Sequence, residues 1–413
     1  MTVAVEPCQL LLKQASCSGC DSPVDIAIND GVIMAIGTNL DVHAQEVWQL
    51  SGRVVLPGFI DLHVHLDKTL SMQHEGVVNH SGTLAEAIKR WQAIKPHLNH
   101  DDYLYRARQA VKMAMARGTT SMRSHVDVGL DIGLTALTAI IALREELRGK
   151  FDLQVVAMAA PERTVKERDL AYAAVEAGAD AIGGAPGLFG DAAASIEAIL
   201  ELAEKTGVLI DVHIDETDDP NVRALEVLAE AVLAQGLSGR VTAGHCCSLA
   251  SMPQAEADAL ISKVAAAKLH IVSLPSVNLV LQGRGDSVAK RRGLTRIKEL
   301  LEAGVNVSAG SDNVQDPFNP LGNYDLLWIA NLASHAAHLT GEAERPHALE
   351  LVSDNPARAF GKRIYGIQVS APADMVVLDH HELASSLAVM PPRYAVLKAG
   401  SPYDLPMTSL SHT

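Results

Sequence analysis

Leu56-Pro57-Gly58-Phe59-Ile60-Asp61-Leu62-His63-Val64-His65-Leu66-Asp67-Lys68 is the stretch on which the fold turns. It continues an apolar run from Val54 and Val55, turns at Pro57-Gly58, and then alternates apolar and polar residues up to the histidines. Side chains alternate faces along a strand, so His63 and His65 leave from the same side. Two imidazoles on one strand face are a compact pair of nitrogen donors for a divalent metal. Histidine is also a frequent surface residue, so the pair gains meaning only if later strands supply the remaining ligands.

Outward from that stretch, strands alternate with amphipathic helices, the signature of repeated βα units. Eight apolar segments predict strands: residues 55–65, 119–125, 153–159, 181–185, 208–213, 241–245, 270–274 and 305–310. Helical stretches lie between most of them, such as 103–117, 132–147, 195–205, 221–235 and 294–303. Gly118, Gly178, Gly207 and Gly304 each close a helix just before the next strand, where glycine supplies a left-handed C-cap. This pattern predicts an α/β fold, a (β/α)8 TIM barrel of roughly 300 residues. A doubly wound sheet would usually open with a glycine-rich phosphate loop after its first strand, and none follows residues 55–65.

Short strands flank this body. Residues 8–13 are apolar, 24–28 alternate, and Asn29-Asp30-Gly31 is a hairpin turn before 32–36. Residues 373–378 and 394–398, the latter followed by Ala399-Gly400, are matching pieces near the C-terminus. The two ends are therefore expected to fold together as a small β-domain, residues 1–54 and 363–413, beside a barrel spanning 55–362.

At 413 residues the chain has room for one large α/β domain and a smaller one. Its 34 basic and 49 acidic residues give a net charge of −15, which argues against a nucleic-acid or anionic-membrane surface and for a soluble cytoplasmic protein. No basic stretch leading into an apolar one opens the sequence, so secretion is not expected. No uninterrupted apolar run of ~18 residues suggests a membrane span. Cys17-Ser18-Gly19-Cys20 has CxxC spacing, but no second CxxC completes a zinc site, and reduced cysteines in a surface hairpin are the better reading. Cys246-Cys247 reads as small apolar filling at a strand end, and disulfides are not expected.

In a (β/α)8 barrel the C-terminal strand ends line one mouth. The first predicted strand ends with His63 and His65, the fifth leads into His213-Ile214-Asp215-Glu216, the sixth ends at His245, and the eighth runs into Ser311-Asp312-Asn313. His63, His65, His213 and Asp312 form a ligand set suited to one Zn2+ or Fe2+, with water completing it. Such an ion lowers the pKa of its water from ~15.7 towards ~7, giving a nucleophile at neutral pH. Glu216 and His245 would then carry protons. His125-Val126-Asp127, at the second strand's end, either contacts substrate or orients a ligand, or else hydrogen-bonds neighbouring strands inside the rim. Asp67-Lys68 braces the loop beyond the first pair. A carbamylated Lys68 bridging two metals is disfavoured, because the usual bridging lysine ends the fourth strand and Gly183-Gly184-Ala185-Pro186 has none. A single metal is expected.

With these residues in view, the chain resembles the amidohydrolase superfamily, and within it the bacterial cytosine deaminase group, from about Pro57 to Gly361. Besides the opening stretch and Asp211-Val212-His213-Ile214-Asp215-Glu216, the resemblance runs through Asn278-Leu279-Val280-Leu281-Gln282-Gly283-Arg284 and Lys290-Arg291-Arg292-Gly293-Leu294-Thr295-Arg296. It continues into Asp312-Asn313-Val314-Gln315-Asp316-Pro317-Phe318 and Pro320-Leu321-Gly322. The resemblance implies a metal-dependent barrel with a small β-domain, and metal ligands at His63, His65, His213 and Asp312. It implies that Glu216 shuttles a proton to a ring nitrogen and that His245 helps to activate water, with Asp312 also in the catalytic set. Hydroxide would attack the amidine-like ring carbon, and ammonia or an amine would leave.

The substrate-reading positions depart from that group. The cytosine enzymes carry a glutamine after the third strand. Here Met158-Ala159-Ala160-Pro161-Glu162 has none, so Ala160 or Glu162 takes its place. Asn313 stands where those enzymes have aspartate, a form more similar to the related N-isopropylammelide amidohydrolases, which release an amine from an s-triazine. Changed polar groups in a closed site shift selectivity strongly. Phe318 is expected to remain an aromatic wall for a flat ring. The leading expectation is a hydrolytic deaminase of cytosine or a related oxo-amino heterocycle. Behind it stand amine release from a substituted aminotriazine, cyclic-imide hydrolysis of the dihydroorotase type, and a non-catalytic barrel relic. The only partner expected beyond the substrate is a second copy in a homo-oligomer.

Overall fold

A computed structural model describes residues 7–188 and 190–404. It begins with β1 (Cys8–Ala15), β2 (Val24–Asn29), β3 (Val32–Gly37), β4 (Ala44–Gln49) and β5 (Val55–Pro57). Then come β6 (Phe59–Val64), β7 (Thr119–Asp127), β8 (Asp152–Met158), β9 (Ala181–Gly183), β10 (Leu209–Ile214), β11 (Val241–His245), β12 (His270–Ser273) and β13 (Asn306–Ala309). The chain closes with β14 (Met375–Leu378), β15 (Arg393–Lys398) and β16 (Ser401–Pro402).

Strands β6 to β13 form one parallel sheet in sequence order, and the expected (β/α)8 barrel is what the chain builds. Helices such as His100–Ala116, Thr135–Glu146, Ala192–Thr206 and Ala224–Gln235 separate its strands and pack apolar faces on the barrel's outer wall. Their starts are written locally. Thr83, Asn99, Thr164 and Asp191 each accept a backbone N–H of the first turn that follows. The glycine ends behave as expected, with Gly118, Gly178, Gly207 and Gly304 all at positive φ.

Closure of the barrel falls on the residues singled out above. The Asp312 N–H donates to the His63 carbonyl at 2.8 Å, and the Ser311 N–H to Asp61 Oδ1 at 3.0 Å. Below this seam the interior is polar. Arg123 on β7 pairs with Asp211 on β10 at 2.7 Å and donates to the Ala359 carbonyl at 2.7 Å, tying the helix Asp354–Phe360 across the barrel floor.

One expected element divides. Residues 55–65 are two strands, because the hydrogen-bonding partner changes between Gly58 and Phe59. The Gly58 N–H donates to Asp374 and the Phe59 N–H to Gly118. β5 therefore pairs with β14 in a sheet ordered β16-β15-β14-β5, and β6 alone enters the barrel. A Cβ at residue 58 would lie 2.4 Å from Thr120 Cγ2, so only glycine lets the chain cross there. The second small sheet, β3-β2-β1-β4, shares a core with the first through Leu12, Ile26, Ile33, Met375 and Leu397. The two chain ends thus form one β-layered unit, as expected. Cys17 is buried while Cys20 is exposed, and all five cysteines are free. Among the described residues no helix is long and apolar enough to cross a membrane.

Candidate metal centre and active site

The end of β6 delivers His63, and His65 follows one residue beyond the strand. His213 comes from β10, His245 ends β11, and Asp312 stands just past β13. The chain bends sharply at three of these places. Asp215, His245 and Asp312 have φ of 51°, 68° and 57°, a left-handed conformation that costs non-glycine residues energy and clusters at functional sites. At Asp215 the cause is visible. Its carboxylate accepts the N–H groups of Ala224 and Leu225 at the start of the next helix, at 2.9 and 3.1 Å. Asp215 is thus committed to that helix, and Glu216 is left to border the cavity.

The four candidate ligands converge. His213 Nε2 lies 3.1 Å from His63 Nε2 and 3.0 Å from His65 Nε2, while Asp312 Oδ1 lies 3.4 Å from His65 Nε2 and 3.9 Å from His63 Nε2. Donors held ~2.0–2.1 Å from a common cation sit roughly 3 Å apart, so these separations fit one small ion. Neither oxygen of the buried Asp312 carboxylate has a hydrogen-bond partner. Burial, reinforced by the neighbouring rings, holds His63 and His213 well below the ordinary imidazole pKa. For His65 burial is followed by the nearby Lys68 ammonium. Burial, followed by Glu216 and Asp316, pushes Asp312 well above the ordinary carboxylate range. Neutral imidazoles beside a lone buried carboxylate are a set that a divalent cation satisfies. His63 with His245 and Asp312, and His63 with His125 and His213, are close enough to hold a metal ion.

Gly244 is what lets the rings close in. A Cβ there would stand 2.8 Å from His63 Cε1 and 2.9 Å from its Nδ1. On another side the His125 ring lies 4.0 Å from the His63 ring, centroid to centroid, with its Nε2 3.1 Å from Asp211 Oδ1. His125 is fully buried and braces His63 from within the barrel, tied to the Arg123–Asp211 pair.

The two proton-carrying candidates stand beside the ligands. His245 Nδ1 is 3.7 Å from Glu216 Oε1, and His245 Nε2 is 3.9 Å from Asp312 Oδ2. Burial lifts Glu216 to about 8 and lowers His245 to about 3, so near neutral pH the carboxyl carries a proton and the imidazole is neutral. Asn278, on the helix Pro275–Leu281, meets His245 Nδ1 through its amide nitrogen at 3.0 Å and fixes the ring.

His65, Lys68, His213, Glu216, His245 and Asp312 open into a cavity of about 360 Å3. Ala160, Glu162, Asn313 and Phe318, the candidate substrate residues, all border it. Asp316 arranges two of them, accepting Asn313 Nδ2 at 2.7 Å and the Phe318 N–H at 2.9 Å. Lys68 is buried between Asp127 at 2.7 Å and Asp67 at 3.1 Å, with His65 Nδ1 at 3.3 Å. It also borders the cavity. Asn278 and Asp316 were not singled out from the sequence. Both lie inside the stretches that carried the family resemblance, which was the available signal.

A (β/α)8 barrel whose mouth gathers His63, His65, His213 and Asp312 over a deep cavity has the form of a metal-dependent hydrolase. The chain belongs to the amidohydrolase family, whose profile matches residues 96–402, and it is a hydrolase of carbon–nitrogen bonds. It is 32% identical to the pterin deaminase of Rhizobium rhizogenes over 389 residues, covering 92% of this chain and 87% of that one. It is similar to the solved structure of 5-methylcytosine deaminase from Klebsiella pneumoniae liganded with 5-fluorocytosine, with a TM-score of 0.90 and 34% identity over 98% of each chain. It is also similar to N-isopropylammelide isopropylaminohydrolase from Burkholderia multivorans, with a TM-score of 0.83 and 29% identity over 95% and 97% of the two chains.

Proposed function

We propose that this chain is a metal-dependent hydrolytic deaminase of cytosine or a related oxo-amino heterocycle. The observation that carries the reading is the meeting of His63, His65, His213 and an unpartnered Asp312 carboxylate beside a largely buried Glu216 on the same cavity. Those four residues would hold one Zn2+ or Fe2+, and the ion, when bound, acidifies water and polarises the amidine carbon. Glu216 holds a proton at its carboxyl and gives it to the ring nitrogen next to the reacting carbon, which makes that carbon electrophilic; of the two protons water brings, one restores Glu216 and the other goes to the amino nitrogen, which then leaves as ammonia. His245, kept neutral by burial and oriented by Asn278, faces Asp312 and exchanges the proton released by water. Water adds its oxygen to the ring carbon, the carbon–nitrogen bond breaks, and ammonia leaves with the ring carbonyl formed. Asn313 gives its amide N–H to Asp316, leaving Oδ1 to accept from a ring donor, and Phe318 supplies an aromatic wall.

A second reading, amine release from a substituted aminotriazine, is supported by Asn313 and by the likeness to the Burkholderia multivorans enzyme. The test is an ammonia- and amine-release screen of metal-loaded protein over cytosine, 5-methylcytosine, a pterin and N-alkylated aminotriazines. Turnover of an amino-oxo ring supports the deaminase reading, and turnover confined to N-alkyl triazines selects the second. Absence of product from every ring defeats both.

A further inference from the structure

Among the described residues none hydrogen-bonds the Glu216 carboxyl, and the His245 ring stands 3.7 Å from it, beyond hydrogen-bond reach. The main chain around Glu216 is held instead. On one side Asp215 is tied to the helix Ala224–Gln235 through the N–H groups of Ala224 and Leu225. On the other, Gln282 Nε2 donates to the Glu216 carbonyl at 3.2 Å. The Gly283 N–H donates to Asp218 Oδ2 and Arg291 Nη1 to the Asp218 carbonyl, both at 2.5 Å. Glu216 is thus stretched between two fixed points.

The three donors belong to Gln282-Gly283-Arg284 and Lys290-Arg291-Arg292-Gly293, two stretches that carried the family resemblance without receiving a role. The chain folds one onto the other. A Cβ at Gly283, where φ is 68°, would lie 1.6 Å from the Arg291 carbonyl oxygen, and one at Gly293, where φ is 62°, would lie 2.2 Å from Gln282 Cγ. Only glycine allows so close an approach at positive φ. Asp286 closes the loop between them, accepting the Arg291 N–H and Nε at 2.9 Å and Nη2 at 2.7 Å. Arg284 supplies a second anchor, donating to the Ser81 carbonyl at 3.2 Å on the loop that follows β6. Gln282, Gly283 and Arg291 stand behind the cavity wall rather than on it. They reach the reaction only through what they hold.

Resting on the deaminase reading above, we propose that Gln282, Gly283 and Arg291 form a clamp that positions Glu216 for proton transfer to the ring nitrogen. They are positioning residues, acting on the backbone from which the carboxyl is carried. Proton transfer requires the carboxyl within ~2.6–3.2 Å of its acceptor, and a displacement of about 1 Å can slow a reaction by ~100-fold. With no hydrogen bond of its own, the Glu216 side chain follows any shift of that backbone.

The test measures kcat and KM of metal-loaded, full-length protein on the ring that wild type turns over fastest in the screen above. Gln282→Leu and Arg291→Met should each lower kcat about tenfold or more, with KM within about threefold and metal content unchanged. A double-mutant cycle separates positioning from general damage. In a Glu216→Gln background, where no carboxyl remains to be placed, either clamp substitution should lower the residual rate by less than about twofold. Lys290→Met is the control, since that ammonium meets only the Asp286 carbonyl on the same loop, and it should keep the wild-type kcat. Circular dichroism verifies folding, and the half-exposed Arg291 keeps the test open if Gln282→Leu does not fold. Wild-type kcat in the folded clamp variants, loss of metal in step with turnover, or an equal loss with and without Glu216 overturns this inference and leaves the deaminase reading standing. No ammonia from any ring in wild type overturns both.

Discussion

Replacing Gly244 by alanine tests the packing that brings the histidines together. The new methyl would stand 2.8 Å from His63 Cε1, where carbon atoms prefer roughly 3.5–4.0 Å. The His63 ring must therefore retreat by about 0.7–1.2 Å, with the His125 ring only 4.0 Å away between centroids and the side chain fully buried. Metal sites tolerate displacements of about 0.5 Å, so the expected cost is a fall in metal affinity of ~10- to 100-fold. Forcing a methyl into a packed interior should also lower stability by about 1–3 kcal/mol. Chelator competition gives the first quantity and denaturant unfolding of the metal-free protein gives the second. Gly285→Ala is the control, because a Cβ there has nothing within 4 Å. If Gly244→Ala binds metal as tightly as the wild type, His63 is not a ligand held by this packing and the site description fails.

Glu216→Gln should retain metal but lose turnover by ~100-fold or more, since the amide cannot carry the proton. The same substitution has a pH signature in metal-free protein. Burial raises Glu216 from 4.5 to about 8, so the folded chain keeps a proton that the unfolded chain releases between those values. This group's stabilisation is therefore complete below pH 4.5 and lost as pH rises through 8, by at most about 5 kcal/mol at ~1.4 kcal/mol per pH unit. The melting temperature of Glu216→Gln relative to wild type should rise from pH 5 to pH 8; a flat difference would remove the burial argument. Asn313→Asp should move preference towards cytosine and lower stability, because it replaces a donor to Asp316 with a like charge; an unchanged substrate profile would take Asn313 out of ring recognition. Arg123→Met leaves Asp211 buried without its cation and should destabilise the chain by about 3–5 kcal/mol in urea unfolding. Wild-type stability there would mean that the floor of the barrel is held by something else.

Much of the fold could be read from the sequence because βα units repeat a local pattern. Glycine caps, apolar strands and capping residues such as Thr83 and Thr164 act within a few positions of one another. The candidate ligands were legible for a related reason, since a barrel gathers its strand ends whatever lies between them. What escaped reading depends on distant pairing. The turn at Pro57-Gly58 was legible, but that the strand before it leaves the barrel to pair elsewhere shows only in the Gly58 N–H, bonded to Asp374. His125 had two readings in sequence, and the choice required Asp211, 86 positions away. Leu84, Ile88 and Trp91 look like an ordinary core-facing helix stripe, and nothing local says that the stripe borders a cavity. Asp316 is the exception, since its partners Asn313 and Phe318 lie only three and two positions away and the pairing still went unread.

The central claim is that His63, His65, His213 and Asp312 hold one ion on which deamination depends. It is tested most directly by measuring metal content and ammonia release on the same preparations of wild type and His213→Ala. Wild type should carry about one equivalent of Zn2+ or Fe2+, lose turnover when stripped by a chelator and recover it on reconstitution. His213→Ala should lose both metal and turnover. Full turnover in metal-free wild type, or in a His213→Ala protein that holds no metal, would contradict the account.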